Sequence, residues 1–212
     1  MPRMLDFESM IRQFAPQAVK NYVAYDLERD KDALDSLKSA DASTREGGVR
    51  KWLEGYKVLM GFTTEQRNNI AHAVVKNADE RDANRDIDSI ESLSQIHAEV
   101  MRACTNGLGK ERDFTSLASK ALWLYYPDKV PLFDSLAHRA LCVLSKLDDV
   151  PQQTTEDASK YESFIFVWKT LYTRYSPVFE SLDLQPCQYT VRVFDGILMC
   201  IGKDRYWMEA EQ

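Results

Sequence analysis

The chain has 212 residues, 44% apolar and 28% charged, with a formal net charge of −6. This composition excludes a disordered chain and leaves enough apolar material for a sizeable core. It also excludes the chain-wide basic balance usual in nucleic-acid binders, though an acidic protein can still carry a local basic cleft.

In chain order, helical periodicity predicts helices over residues 6–14, 17–40, 49–60, 64–78, 87–104, 116–126, 132–147, 157–175 and 189–201. Thr63-x-x-Gln66 has the form of a capping box. Pro127 closes the helix that carries Trp123, and Ser176-Pro177 closes the one that carries Tyr161. The polar stretches 41–48 and 148–156 read as connections, and the charged run 79–86 as a solvated one. QYTVRVF, from Gln188 to Phe194, has strand propensity, but FDGILMCIG continues it with helical spacing. The expected fold is therefore all-α, one compact multi-helix unit with an N-terminal helical segment (1–48) packed on a helical core (49–212).

No apolar run reaches the ~18 residues of a membrane span, and MPRMLDFESM carries no apolar secretory segment. A cytoplasmic protein without a membrane partner is expected. Cys104, Cys142, Cys187 and Cys200 form no C-x-x-C pair, and His72, His97 and His138 fall in no ligand spacing. Neither a metal nor a cofactor is expected.

The stretch richest in chemistry is FTSLASKALWLYYPDKVPLFDSLAHRAL, residues 114–141. On a wheel at about 100° per residue, Leu117, Ala121, Leu124 and Tyr125 form an apolar face, with Lys120 roughly 40° from Leu124. A lysine at that border either snorkels to water or is desolvated toward nucleophilic use. Asp134 stands after a two-proline turn and before an apolar run, where an N-cap belongs. Two readings stay open: a snorkelling lysine with a capping aspartate, or an amine and a carboxylate brought to one crevice.

The order of these pieces resembles the helix–hairpin–helix DNA glycosylases of the 8-oxoguanine, adenine and endonuclease III-like type. Gly107-Leu108-Gly109 stands where that family has its glycine hairpin. Lys120 takes the place of the lyase lysine, Pro131-Leu132-Phe133-Asp134 leads to the characteristic aspartate, and Arg139 matches the arginine five residues on. The resemblance covers about residues 105–147. It implies a glycosylase-like helical core acting on a flipped base in DNA, with a Schiff base at Lys120 and charge stabilisation by Asp134. It also implies phosphate and nucleic-acid contacts from Gly107, Gly109, Lys110, Ser119 and Arg139. Trp123, Tyr125, Tyr126, Phe166 and Trp168 are candidates for stacking on a base or for the core. Position 111 is Glu where the family's lysine usually follows the hairpin, so a catalytically impaired nucleic-acid-binding relative is an equal form of this reading.

Arg67-Asn68-Asn69-Ile70-Ala71-His72 resembles the R-N-x-x-x-H motif of HEPN-type ribonucleases, which implies acid–base cleavage of RNA by His72 with Arg67 on the transition state. The alternative is that Arg67 pairs with a buried carboxylate while His72 faces water. Arg192 and Asp195, three apart on one helical face, read as a structural ion pair, worth roughly a few tenths of a kcal/mol where exposed, or as lining the same cleft as Lys120. A third class, a non-catalytic helical interaction protein, suits the acidic balance.

Overall fold

Nine α-helices and no strand occur among the described residues, which are 6–81, 86–106, 108, 113–150 and 159–204 of this computed structural model. In order they are α1 (Phe7–Tyr25), α2 (Leu27–Leu37), α3 (Ala42–Gly55), α4 (Thr64–Asp79), α5 (Ile90–Thr105), α6 (Thr115–Trp123), α7 (Ser135–Leu147), α8 (Lys160–Glu180) and α9 (Thr190–Lys203). Among the described residues no helix is long and apolar enough to cross a membrane.

The start signals work through named atoms. Thr63 and Gln66 form the full capping box of α4: the Thr63 hydroxyl accepts the Gln66 amide, and the Gln66 side chain accepts the Thr63 amide. Asp41 does the same kind of work where polarity alone suggests a loop. Its carboxylate accepts the Thr44 hydroxyl at 2.6 Å, the Ser43 hydroxyl at 2.7 Å and the Thr44 amide at 2.9 Å, so α3 begins at Ala42 and absorbs the expected 41–48 connection. Those bonds hold the Asp41 carboxyl down at about 2.

Two prolines lie inside helices. α1 runs through Pro16 and α8 through Pro177, so Ser176-Pro177 does not end α8 as expected. Proline deletes one backbone hydrogen bond, but buried residues follow each one: Ala18 and Tyr22 in α1, Val178 and Phe179 in α8. Burial of those side chains carries each helix past its missing bond.

The described chain divides into two compact units, one of residues up to Tyr25 with those from Phe133 onward, the other Asp26–Leu132. The boundary expected at 48/49 falls inside α3. In the unit made of the chain's two ends, α9 packs on both α1 and α7, and α8 packs on α7 and α1. α9 is buried almost all round, from Val191 through Phe194 to Ile201, and this burial overrides the strand propensity of QYTVRVF. In the 26–132 unit each helix packs on the next, and α6 returns to α3.

Glycines mark the closest helix contacts. A Cβ on Gly202 would overlap the Leu136 backbone carbonyl of α7, whereas one on Gly47 in α3 would meet nothing within 4 Å. Gly202→Ala is therefore expected to lower stability by about 1–3 kcal/mol, since backbone cannot step aside as a side-chain tip can. Gly47→Ala should raise it by up to ~1 kcal/mol through helix propensity. Thermal unfolding of the two variants checks this; equal midpoints would contradict the α7–α9 packing.

Candidate functional site

Lys120 lies in the 26–132 unit on α6, a helix buried on every side from Leu117 to Trp123. The border position expected for Lys120 is accordingly absent: it is 4% exposed, because α5 and α3 cover faces that a wheel of α6 alone would assign to solvent. Its Nζ donates to the Ser116 hydroxyl one turn earlier at 2.8 Å and stands 5.8 Å from the centre of the Tyr56 ring. Tyr56, the C-cap of α3, packs on Trp52 at 4.5 Å between ring centres, and Trp52 stacks parallel on Trp123 at 5.4 Å. Trp123 is thus a core side chain, not an accessible stacking platform.

Bonded to the hydroxyl of the same Tyr56 is Asp30 of α2, 1% exposed. Its Oδ1 accepts the Trp52 indole N–H at 2.8 Å and the Tyr56 hydroxyl at 3.2 Å. The Arg29 guanidinium lies over the Tyr56 ring at 4.7 Å. A buried amine and a buried carboxylate therefore share one aromatic neighbour within a single unit. Sequence reasoning missed Asp30, Trp52, Tyr56 and Ser116. The available signal was Asp30's place on the stripe Leu27, Asp30, Leu34, Leu37, hidden among the many other charges of α2.

The second member of the expected pair, Asp134, belongs to the other unit. It is the N-cap of α7, with Oδ1 accepting the Leu136 amide at 2.9 Å. Arg139 is exposed on α7. Ser119 is fully buried and donates back to the Ser116 carbonyl at 3.0 Å, so it presents no surface to a phosphate. Gly107, Gly109 and Lys110, the hairpin of the resemblance, lie outside the described residues.

Arg67 and His72 are drawn to different ends of α3. Arg67 donates to the Phe62 carbonyl at 3.0 Å and to Glu54 at 3.3 Å, and both partners of that ion pair are half-exposed, not buried. His72 is exposed and its Nδ1 meets Glu46 at 2.8 Å. His72 also lines a groove of about 490 Å³ with Gln66, Asn69, Cys104 and Asn106, to which Arg67 does not contribute.

In the other unit, Arg192 and Asp195 are buried, at 6% and 1% exposure, so the small worth of an exposed helical pair does not apply to them. The cause is the all-round burial of α9. Asp195 accepts the Trp168 indole N–H at 2.8 Å, and Arg192 lies over the Tyr22 ring at 5.5 Å. Among the described residues no three His, Cys, Asp or Glu side chains gather as a metal site requires. Burial pushes the Cys104 thiol up to about 12. The chain matches no protein-family model, no curated protein and no solved structure.

The start of α6, and with it Lys120, is tied to α5 by His97. Its Nε2–H donates to the Thr115 carbonyl at 3.0 Å, which fixes the neutral tautomer. Burial holds its pKa at about 4, outweighing the upward pull of that carbonyl and of Asp113. Since the folded value lies below the ordinary 6.5, the unfolded chain binds the extra proton first. Stability is therefore full above about pH 6.5 and falls toward pH 4, by about 3 kcal/mol at the limit. His97→Gln is expected to flatten that part of the stability–pH curve, as measured by denaturant unfolding between pH 4 and 7.

Proposed function

We propose that this chain is a divergent helix–hairpin–helix glycosylase-like protein acting on nucleic acid through the α6 amine, with Lys120 as its reactive group. The observation that carries the reading is the fixed, desolvated setting of Lys120, between the Ser116 hydroxyl and the Tyr56 ring. A lysine used to form a Schiff base works as a neutral amine, the form that removal from water favours in general. In this reading the amine attacks the sugar C1′, the bond from C1′ to the base breaks, and ring opening leaves an imine on Nζ. The resemblance gives Asp134 the role of stabilising positive charge on the sugar. Arg139, exposed on α7, is available to a phosphate.

The same burial favours a second reading, a non-catalytic helical binding or interaction protein in which Lys120 and Asp30 organise the core. The ribonuclease reading has less support, because the partners of Arg67 and His72 draw the two side chains apart.

Borohydride trapping on DNA with an abasic site separates these. A covalent adduct formed by the native chain and lost in Lys120→Ala and Lys120→Arg is the expected result. No adduct from a folded native protein rejects the amine chemistry, and oligonucleotide binding retained in that case assigns the non-catalytic form. RNA cleavage abolished by both Arg67→Ala and His72→Ala would instead promote the ribonuclease.

A further inference from the structure

α2 and α3 pack on each other and leave between them a groove of about 250 Å³. Its walls are Ala33 and Ser36 of α2 and Gly47, Gly48 and Trp52 of α3, and three charged side chains, Arg29, Asp32 and Lys51, complete the lining. The side-chain donors of the walls are already engaged. The Ser36 hydroxyl donates to the Ala33 carbonyl at 2.7 Å, and the Trp52 indole N–H goes to Asp30 at 2.8 Å. The surface that the groove presents is accordingly mostly apolar.

The two adjacent glycines of α3 have different reasons. A Cβ on Gly48 would overlap the Ser36 side chain, so the close approach of α2 requires glycine there. A Cβ on Gly47 would meet nothing within 4 Å. Glycine inside a helix is destabilising, second only to proline, and no packing contact calls for it at Gly47. Its missing side chain instead keeps one wall of the groove open. A cavity of about 150 Å³ lined by aliphatic and aromatic side chains takes up benzene. The groove between α2 and α3 therefore has room for a ligand body of roughly ten non-hydrogen atoms.

The charges of the lining select the other end of the ligand. Arg29 is engaged by Asp26 at 3.4 Å and lies over the Tyr56 ring. Lys51, with its side chain 75% exposed, gives one bond, to the 60% exposed Asp32 at 3.2 Å. An ammonium group has three donors, so Lys51 keeps two for an incoming acceptor. An exposed pair of this kind contributes little net stability and yields to a competing carboxylate. The lining holds two cations against one anion, on a chain of net charge −6. We propose that the groove between α2 and α3 binds a small monocarboxylate, its apolar body against Trp52, Ala33 and Gly47 and its carboxylate on Lys51. The site lies within the 26–132 unit and stands apart from the Lys120 reading.

The test is titration of the isotope-labelled full chain with phenylpropionate, with hexanoate and with the neutral phenylpropanol, followed by NMR at the Gly47 and Gly48 amides and the Trp52 indole N–H. Saturable shifts of these signals are expected with a carboxylate, and phenylpropanol should bind about threefold or more weakly than phenylpropionate. Lys51→Gln should remove that preference. Asp32→Asn deletes the competing carboxylate and should tighten binding of the acids about threefold. Gly47→Leu should abolish binding of all three compounds by filling the groove. Lys51 and Asp32 are exposed, so their variants keep the test decisive if Gly47→Leu fails to fold. No saturable shift with either carboxylate overturns the proposal, as does binding that a folded Gly47→Leu leaves unchanged. Equal binding of phenylpropanol and phenylpropionate by the native chain overturns it too. Tighter binding of phenylpropionate than of hexanoate supports it with an aromatic body, and the reverse order supports it with an aliphatic one.

Discussion

A carboxylate buried among aromatic rings and held by a tryptophan indole N–H occurs in each of the two units. Asp30 takes the N–H of Trp52 in one, and Asp195 that of Trp168 in the other, both at 2.8 Å. Taking a carboxylate out of water costs several kcal/mol, and each is retained only because donors are aimed at it. The indoles cannot turn away without leaving that charge unsatisfied, so the bonds set the positions of α2 against α3 and of α8 against α9. Around Asp195 the rings close further: Trp168 meets Phe194 edge-on at 5.0 Å, and the fully buried Tyr161 has its phenol pushed well up by burial and by Asp195.

The same constraint shapes the candidate site. Lys120 is buried in the unit that buries Asp30, and Tyr56 neighbours both, with its ring centre 5.8 Å from the amine and its hydroxyl bonded to the carboxylate. The Ser116 hydroxyl and the Tyr56 ring fix the amine's direction before any ligand arrives. Such an arrangement serves a scaffold as well as a nucleophile. Chemistry, not geometry, separates the two uses.

Much of the helical content was legible because it rests on local signals. The Thr63–Gln66 box and the Asp134 cap are written in a few adjacent residues, and both form as read. Asp41 was passed over because its partners, Ser43 and Thr44, sit in a polar stretch with two glycines that resembles a loop. The stop expected at Ser176-Pro177 fails because burial of Val178 and Phe179 carries α8 through it, whereas QYTVRVF forms the helix that its continued spacing predicts, with Arg192 and Asp195 made interior by α1 and α7. Lys120 was found but misplaced, for a wheel shows one helix and not the helices that cover it.

The order of residues alone determined that this chain is helical, where several helices start, and that an amine and a carboxylate flank a two-proline turn. Those properties depend on hydrogen bonds and side-chain periods spanning at most a few residues. Only the tertiary structure decided that α1 joins the C-terminal helices and that Lys120 and Asp30 are interior. The reason is that burial of a charge is a property of what packs over it, and those covering residues lie tens of positions away along the chain.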